Sequence, residues 1–447
     1  MAVISSVPKK NPKEGTWSLR LATVLVALGG SFSSESHAIG IVGLESSNFL
    51  RSSKDRSNEN STVYAGIDYE TSGKLLEVKL NVTGYTFLSD PSFFTAESRD
   101  FYVQTHPNHG HQVTLGRKFM SWGSSDDVWK QGLWAPRFLW DPTHPQPVGL
   151  TGVFYTYRAS NWGVRVFASP LNVPERGFPI KDGEGRLDTP SPFLYPLPKR
   201  AVVLTQQADI KYAIAMPPLG QLIFNPGGAI SLDYGEKEGI WAKTSYGFLP
   251  SNQPDISVEA QLQTDSLILN STLHPRVYHH HILTGEVGYR AANWSAWGSL
   301  SGEAPVDLNR NPNFINEPMG PAIIYSTGVD GKLDRNFSLQ AAFMYVNEVK
   351  PAADEEIVDL DIPTRFTYTN ALMLGAKLTT DSPFSYSSDF TYDIENRSHI
   401  FSLDAQYAKN SWRASIGLDF FVSTTGQGII GQYSGNDRLR LGVAYVF

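Results

Sequence analysis

Side chains of the last ten residues, Arg438 to Phe447, alternate without a break. Leu439, Leu441, Val443, Tyr445 and Phe447 form one apolar face, and Arg438, Arg440, Gly442, Ala444 and Val446 form a small or charged one. A period of two is the signature of a β-strand with one greasy side and one wet side. The same period recurs along the chain. Leu76, Val78, Leu80 and Val82 oppose Glu77, Lys79, Asn81 and Thr83. Phe337, Leu339, Ala341, Phe343 and Tyr345 oppose Ser338, Gln340, Ala342 and Met344. Leu372, Leu374, Ala376 and Leu378, then Phe401, Leu403, Ala405 and Tyr407, then Trp412, Ala414, Ile416, Leu418 and Phe420 repeat the pattern. Each segment is about ten residues long, which crosses a bilayer at a tilt.

The sequence carries no run of 18 apolar residues that would make a spanning helix. A membrane location then leaves only a closed barrel, because lipid cannot satisfy the backbone groups of an open sheet edge. A mean hydropathy of −0.24 agrees, since half of every strand faces water. The chain has no cysteine, so neither disulfides nor thiolate metal sites contribute. Short connectors such as Glu70-Thr71-Ser72-Gly73 and Lys409-Asn410 read as tight turns, and longer ones as external loops. The expected fold is all-β, an up-and-down antiparallel transmembrane β-barrel of about 16 strands (range 14–18), with one long loop folded into the lumen.

The ends of the chain add a resemblance. Arg440, Gly442, Tyr445 and Phe447 resemble the terminal assembly signal of bacterial outer-membrane β-barrel proteins, which include the porins. Lys9, Lys10, Lys13 and Arg20 precede an apolar run from Leu21 to Leu28, and small residues follow to Ser36-His37-Ala38, the order of a secretory signal peptide. The expectation is a signal peptide over 1–38 and a barrel over 39–447 in the outer membrane of a Gram-negative cell. The resemblance implies outer-membrane lipid, lipopolysaccharide and the barrel assembly machinery as partners, with a homotrimer or an envelope protein as further ones. The formal charge of −7 on the whole chain argues against a nucleic-acid binder.

The candidate site begins with the stretch 118–150, which does not alternate and holds Trp122, Trp129, Trp134 and Trp140, four of the ten tryptophans. Ser124 or Ser125 is placed to cap a short helix with Asp126 and Asp127 in its first turn, ended by Gly132. A loop this long is functional or disordered, and four indoles are the wrong composition for disorder. One reading is a constriction loop whose indole faces stack on sugar rings, with Asp126, Asp127, Lys130 and Arg137 adding hydrogen bonds and a transverse field. The other places the tryptophans at the membrane rim. Charged residues on the wet strand faces form the second candidate set: Glu77, Lys79, Arg165, Lys243, Glu286, Arg290, Lys377, Asp404, Arg413, Asp419, Arg438 and Arg440. In lipid an Arg or Lys would cost roughly 2–4 kcal/mol at the midplane, so these must face inward.

The span 169–200, with seven prolines between Pro170 and Pro198, reads as an extended external loop. His106, His109 and His111, and His279 to His281, lack a carboxylate at a familiar ligand spacing, and neither a metal nor a cofactor is expected. No His, Ser and Asn arrangement falls on one strand, and Asp126-Asp127 lacks a histidine partner, so an enzyme is not expected. Three classes remain. The first is a porin-like channel for small polar solutes, saccharides among them. The second is a non-conducting barrel serving as envelope scaffold, adhesin or docking partner through its loops. The third is a soluble, secreted glycan-binding β protein.

Overall fold

The computed structural model describes residues 35–50, 59–194, 197–203, 205–235, 238–306, 308, 310–316, 319–349 and 365–447. Eighteen strands form one sheet. In chain order they are β1 (Glu35–Phe49), β2 (Glu59–Ser72), β3 (Leu76–Phe87), β4 (Phe94–Thr105), β5 (His111–Lys118), β6 (Leu150–Arg158), β7 (Trp162–Ser169), β8 (Gly227–Gly235) and β9 (Gly239–Pro250). The ring continues with β10 (His279–Arg290), β11 (Trp294–Val306), β12 (Ala322–Lys332), β13 (Phe337–Glu348), β14 (Asn370–Thr379), β15 (Phe384–Asp393), β16 (Ser398–Lys409), β17 (Trp412–Ser423) and β18 (Arg438–Val446). Every strand pairs antiparallel with the next, and β18 closes the ring on β1, with Ile41 opposite Val446 and Phe49 opposite Arg438. Among the described residues, three short helices lie in the connections: α1 (Ser124–Trp129), α2 (Leu219–Ile223) and α3 (Gly428–Gln432).

The up-and-down barrel expected from the alternation is therefore what the chain forms, at the top of the expected range in strand number. The count lies two above the central expectation of 16 and inside the expected range. The leader expected over 1–38 lies largely outside the described residues. Its last four positions, Glu35 to Ala38, continue β1 and pair with Tyr69 to Ser72.

The two ends of the barrel differ. Turns of two to five residues join the strands at one end, for example 73–75, 291–293 and 410–411. At the other end the connections reach 57 residues, in 170–226. Parts of three of them build a five-stranded sheet over the mouth: Arg200–Val203, Gln206–Ile214, Ile268–Arg276, Asp255–Gln263 and Ile315–Asn316, in that spatial order.

Outward positions are apolar. On β10 to β13 they include Leu283, Val287, Leu300, Ile323, Tyr325, Val329, Leu339 and Phe343, all well exposed. From β8 to β18 the one charged outward position is Lys409, beside the turn at Asn410. Aromatic pairs gird the short-turn end, with Tyr157 and Trp162 centroids 5.2 Å apart, Tyr289 and Trp294 5.4 Å, and Trp412 and Tyr445 5.1 Å. Tyr325 and Tyr345, 6.4 Å apart, belong to the girdle near the opposite end. An exposed aliphatic belt on a closed ladder, bounded by aromatics, is stable only against hydrocarbon. The largest apolar cluster lies inside the ring instead, where the β5–β6 loop packs on inward residues such as Phe154, Phe167, Ile282, Ile324 and Met344.

Candidate functional site: a loop strung across the lumen

The β5–β6 connection enters the barrel. Helix α1 begins after Gly123 with no side-chain cap of its own, contrary to the expectation of a serine cap. The cap comes from the wall. Glu286 on β10 accepts the Ser124 N–H at 2.5 Å and the Ser124 hydroxyl at 3.2 Å, which places a carboxylate against the positive end of the helix. Asp126 then accepts backbone N–H groups of Leu133, at 3.0 Å, and Trp134, at 2.9 Å, and folds the segment back on itself. Lys130 ends the helix in the left-handed region at φ 49°, and Gly132 follows at φ 77°. A Cβ at Gly132 would lie 2.1 Å from Glu175 Oε1, so the close approach requires glycine.

The four tryptophans take neither of the two roles expected of them. Trp122, Trp129 and Trp134 are buried to 2 % exposure or less against the inner wall. Trp122 and Trp134 stack with centroids 5.5 Å apart, and the Trp134 and Trp129 indole N–H groups each donate at 3.0 Å, to Thr284 and to Ser326. Trp140 stacks on Phe87 at 4.4 Å and donates to the Thr62 hydroxyl at 3.2 Å. The indoles bind the loop to the barrel, because each wall hydroxyl facing them offers an acceptor that lipid or a sugar would otherwise have to supply.

Several inward charges are likewise spent on the loop. Arg165 and Lys243 both donate to the Ser121 carbonyl, at 2.8 and 3.0 Å, so neither is a free lumen charge. Arg137 forms a bidentate pair with Glu175 at 2.5 and 2.9 Å and also donates to Thr367 and to the Lys130 carbonyl. Glu175 comes from the Pro-rich span. That span was expected to be external, yet Phe193 packs at 4 % exposure in a second cluster with Ile400, Phe421, Ile430 and Tyr433. The hairpin of Lys181–Gly183 and Arg186–Asp188 is exposed.

The far end of the loop reaches β17 and β18. Arg438, 1 % exposed, donates to Asp419 at 2.6 Å and to Asp141 of the loop at 2.5 Å. Arg440 donates to the same Asp419 at 2.8 Å and pairs with Asp404 at 2.9 Å, and His144 closes on Asp419 at 3.6 Å. Asp141 holds its own turn by accepting the Thr143 N–H at 2.9 Å. Asp141 and His144 carried no weight in the sequence reading, although Asp141-Pro142-Thr143 just after Trp140 is an Asx-turn pattern. Glu97 is a further omission: it takes Arg117 and Arg176 together, each at 2.7 Å.

Burial acts on the loop's acids and bases in opposite ways. It pushes the Asp127 carboxyl up to about 6, against a hydrogen bond from Ser121. It raises Asp126 and Glu175 and lowers Lys130. For Asp141, Arg438 and the His144 and Thr143 hydrogen bonds outweigh burial and hold the carboxyl well below the usual range.

The other inward charges sit as follows. Lys79 pairs with Glu70 at 2.8 Å, and Glu77 accepts the Tyr102 hydroxyl at 3.3 Å. The Arg290 guanidinium lies 4.7 Å over the Trp241 ring. Arg413 donates to the Asn410 and Trp412 carbonyls and so belongs to the turn rather than to the passage. Lys377 on β14 is exposed within the lumen. The expected histidine grouping divides: His279 and His281 face outward beside Phe248, while His280 turns inward to Glu303 at 2.6 Å.

The loop leaves part of the lumen open. Inward residues of β13 to β17, Gln340, Lys377, Asp389, Gln406 and Ser415, are exposed although they face away from the lipid belt. A cavity of about 490 Å3 lies between β3–β4 and the loop, lined by Asn81, Thr83, Tyr85, Glu97, Arg99, Lys130 and His144. A second, also about 490 Å3, opens beneath α1 toward the short turns, with Asp127, Arg290, Asp330 and Lys332 in its lining.

These features define a transmembrane β-barrel of porin-like plan, with the β5–β6 loop entering its lumen. No family model and no curated protein matches the sequence. Solved structures do. An anion-selective porin from Comamonas acidovorans superimposes with a TM-score of 0.44 at 12 % identity, covering 93 % of this chain and 100 % of that one. Salmonella typhi OmpF in complex with daunomycin gives 0.42 at 10 %, covering 92 % and 97 %. A triple mutant of the Rhodopseudomonas blastica porin gives 0.39 at 10 %, covering 92 % and 100 %. The superpositions are loose, and the fold assignment rests on the closed ladder itself.

Proposed function

We propose that this chain is an outer-membrane, porin-like channel that passes small polar solutes, saccharides among them, by diffusion. The observation that carries the reading is the water-exposed set of inward polar residues on β13 to β17, toward the short-turn end of those strands, beyond the inner-wall positions on which the loop packs its apolar surface. A barrel built only as a scaffold would have no need of a wet inner surface beside a packed one. The buried indoles argue against stacking of sugars on Trp122, Trp129 or Trp134, so solute contact falls to Lys130, Asp389, Lys377 and the polar wall. Arg440, Gly442, Tyr445 and Phe447 keep their proposed role as an assembly signal, with Tyr445 facing lipid and the Phe447 backbone paired to Gly40 at 2.9 and 3.0 Å.

The test is conductance of the purified barrel in planar bilayers, combined with swelling of proteoliposomes in solutions of sugars of increasing size. Stepwise conductance with a size cut-off is expected. A heat-modifiable barrel that never conducts would overturn the channel and leave the scaffold reading in its place.

A further inference from the structure

We propose that residues 215–225 form a collar embedded in the outer lipid leaflet beside β8 and β9, an inference that rests on the barrel spanning a bilayer. From Tyr212 to Leu232 the chain runs 21 residues without Asp, Glu, Lys, Arg or His, between Lys211 and Asp233. Residues 215–226 of that run are neither strand nor core. They carry α2 and expose Met216 at 65 %, Leu219 at 70 % and Phe224 at 69 %, the exposure of residues on an outer surface.

Two observations identify the occupant of that surface as hydrocarbon. The first is continuity with the apolar belt. The segment runs directly into β8 at Gly227, whose outward Ile230 and Leu232 belong to the belt, and the Pro226 carbonyl lies 3.1 Å from a His279 ring nitrogen. The same imidazole stacks on Phe248, on the outward face of β9, at 5.0 Å. The second is the treatment of the backbone. Pro217, Pro218 and Pro226 have no N–H to satisfy. The Asn225 side chain donates to the Gln221 and Leu222 carbonyls at 2.8 and 3.0 Å, Phe224 N–H donates to the Gly220 carbonyl at 2.9 Å, and Ile223 carbonyl accepts from Asn172 at 2.7 Å. A five-residue helix whose last carbonyls are occupied by Asn225 and Asn172 while its large apolar side chains turn outward suits the demand that lipid makes on a backbone. A second copy of the chain fits less well, because three side chains fall far short of the roughly 800 Å2 per partner of a stable interface.

The absence of cysteine from the sequence makes a clean test available. Leu219→Cys and Phe224→Cys would be spin-labelled in full-length protein in proteoliposomes, and collision with oxygen compared with collision with a water-soluble nickel chelate. Leu283→Cys, in the belt, and Val202→Cys, 74 % exposed on the external sheet, give the lipid and water references. Labels at 219 and 224 are expected to match Leu283→Cys, with oxygen collisions exceeding nickel collisions several-fold. Nickel accessibility like that of Val202→Cys would overturn the collar while leaving the barrel in the membrane. Low collision with both reagents, together with dipolar broadening, would assign the surface to a second copy and overturn it as well. A Leu283→Cys label that itself meets nickel would remove the membrane reading, and the collar with it.

Discussion

Glu286 on β10 caps the helix that begins at Ser124, and on the other side of the ring Arg438 on β18 grips Asp141 of the same loop. The two strands are eight apart in a ring of eighteen, so the loop is strung nearly across the lumen rather than laid along one side. Hydrogen bonds to a charged group are worth about 1.5–3 kcal/mol, and burial magnifies the penalty of losing one partner. Glu286→Gln keeps the shape but halves the acceptor capacity. We expect an assembled, heat-modifiable barrel whose single-channel current becomes noisier as the α1 end detaches; a trace as quiet as the wild type would show that the indoles alone hold it.

The acids of the loop separate in pH. Asp127 has its carboxyl raised to about 6, so its charged form is the disfavoured one in the folded protein. The folded state therefore takes up a proton as pH falls through about 6, and this contribution to stability grows on acidification, the reverse of the usual carboxylate. Asp127 lines the lower cavity, so cation preference is expected to weaken with a midpoint near pH 6, measured as reversal potential in a salt gradient. Asp127→Asn should remove the midpoint. Asp141 behaves oppositely. Its carboxyl is held well below the ordinary range, so the tether to Arg438 contributes stability above about pH 4, the usual value for an unfolded Asp, and is lost only as pH falls through its lower folded value.

How much of this was written in the sequence depends on whether one residue or two are needed to see it. The outward belt follows from period two on a single strand, and Leu439, Leu441, Val443 and Tyr445 face outward as their spacing requires. The wet face follows by the same alternation, which is why Asp404, Asp419, Arg438 and Arg440 were found. Their task was not legible. Alternation states that Arg165 and Lys243 point inward, but only folding of a loop some 40 to 120 residues away brings the Ser121 carbonyl to them. The tryptophans mislead for the same reason. An indole in a long loop has the same sequence signature whether it faces solute, lipid or a wall hydroxyl such as Thr284, and only the partner decides.

Gly132 offers a stability test independent of transport. A side chain there meets both an unfavourable φ of 77° and Glu175 Oε1 at 2.1 Å. Strain of this kind costs on the order of 1–3 kcal/mol. Gly132→Ala should therefore lower the temperature at which the barrel shifts in gel mobility, while leaving its β content by circular dichroism unchanged at room temperature. Gly183, whose surroundings are empty, provides the matched control: Gly183→Ala should have no effect.

The difference between inward positions tied to the loop and inward positions open to water makes the two lysines of the candidate set behave differently. Lys243 donates to Ser121 within the loop anchor, whereas Lys377 faces water on β14. Charge reversal at Lys377 changes the potential along the passage without disturbing a hydrogen bond to the loop. Lys377→Glu is expected to fold as the wild type does and to shift reversal potential toward cations, more strongly at low salt, where the Debye length of about 10 Å at 0.1 M no longer confines the field. Lys243→Glu removes a donor from the Ser121 carbonyl and sets a third acid near Glu286 and Asp127, so its main effect should be a lower mobility-shift temperature. If instead Lys243→Glu altered selectivity and Lys377→Glu did not, the conducting strip would lie along β7 to β10, and the assignment of anchored and open positions would have to be exchanged.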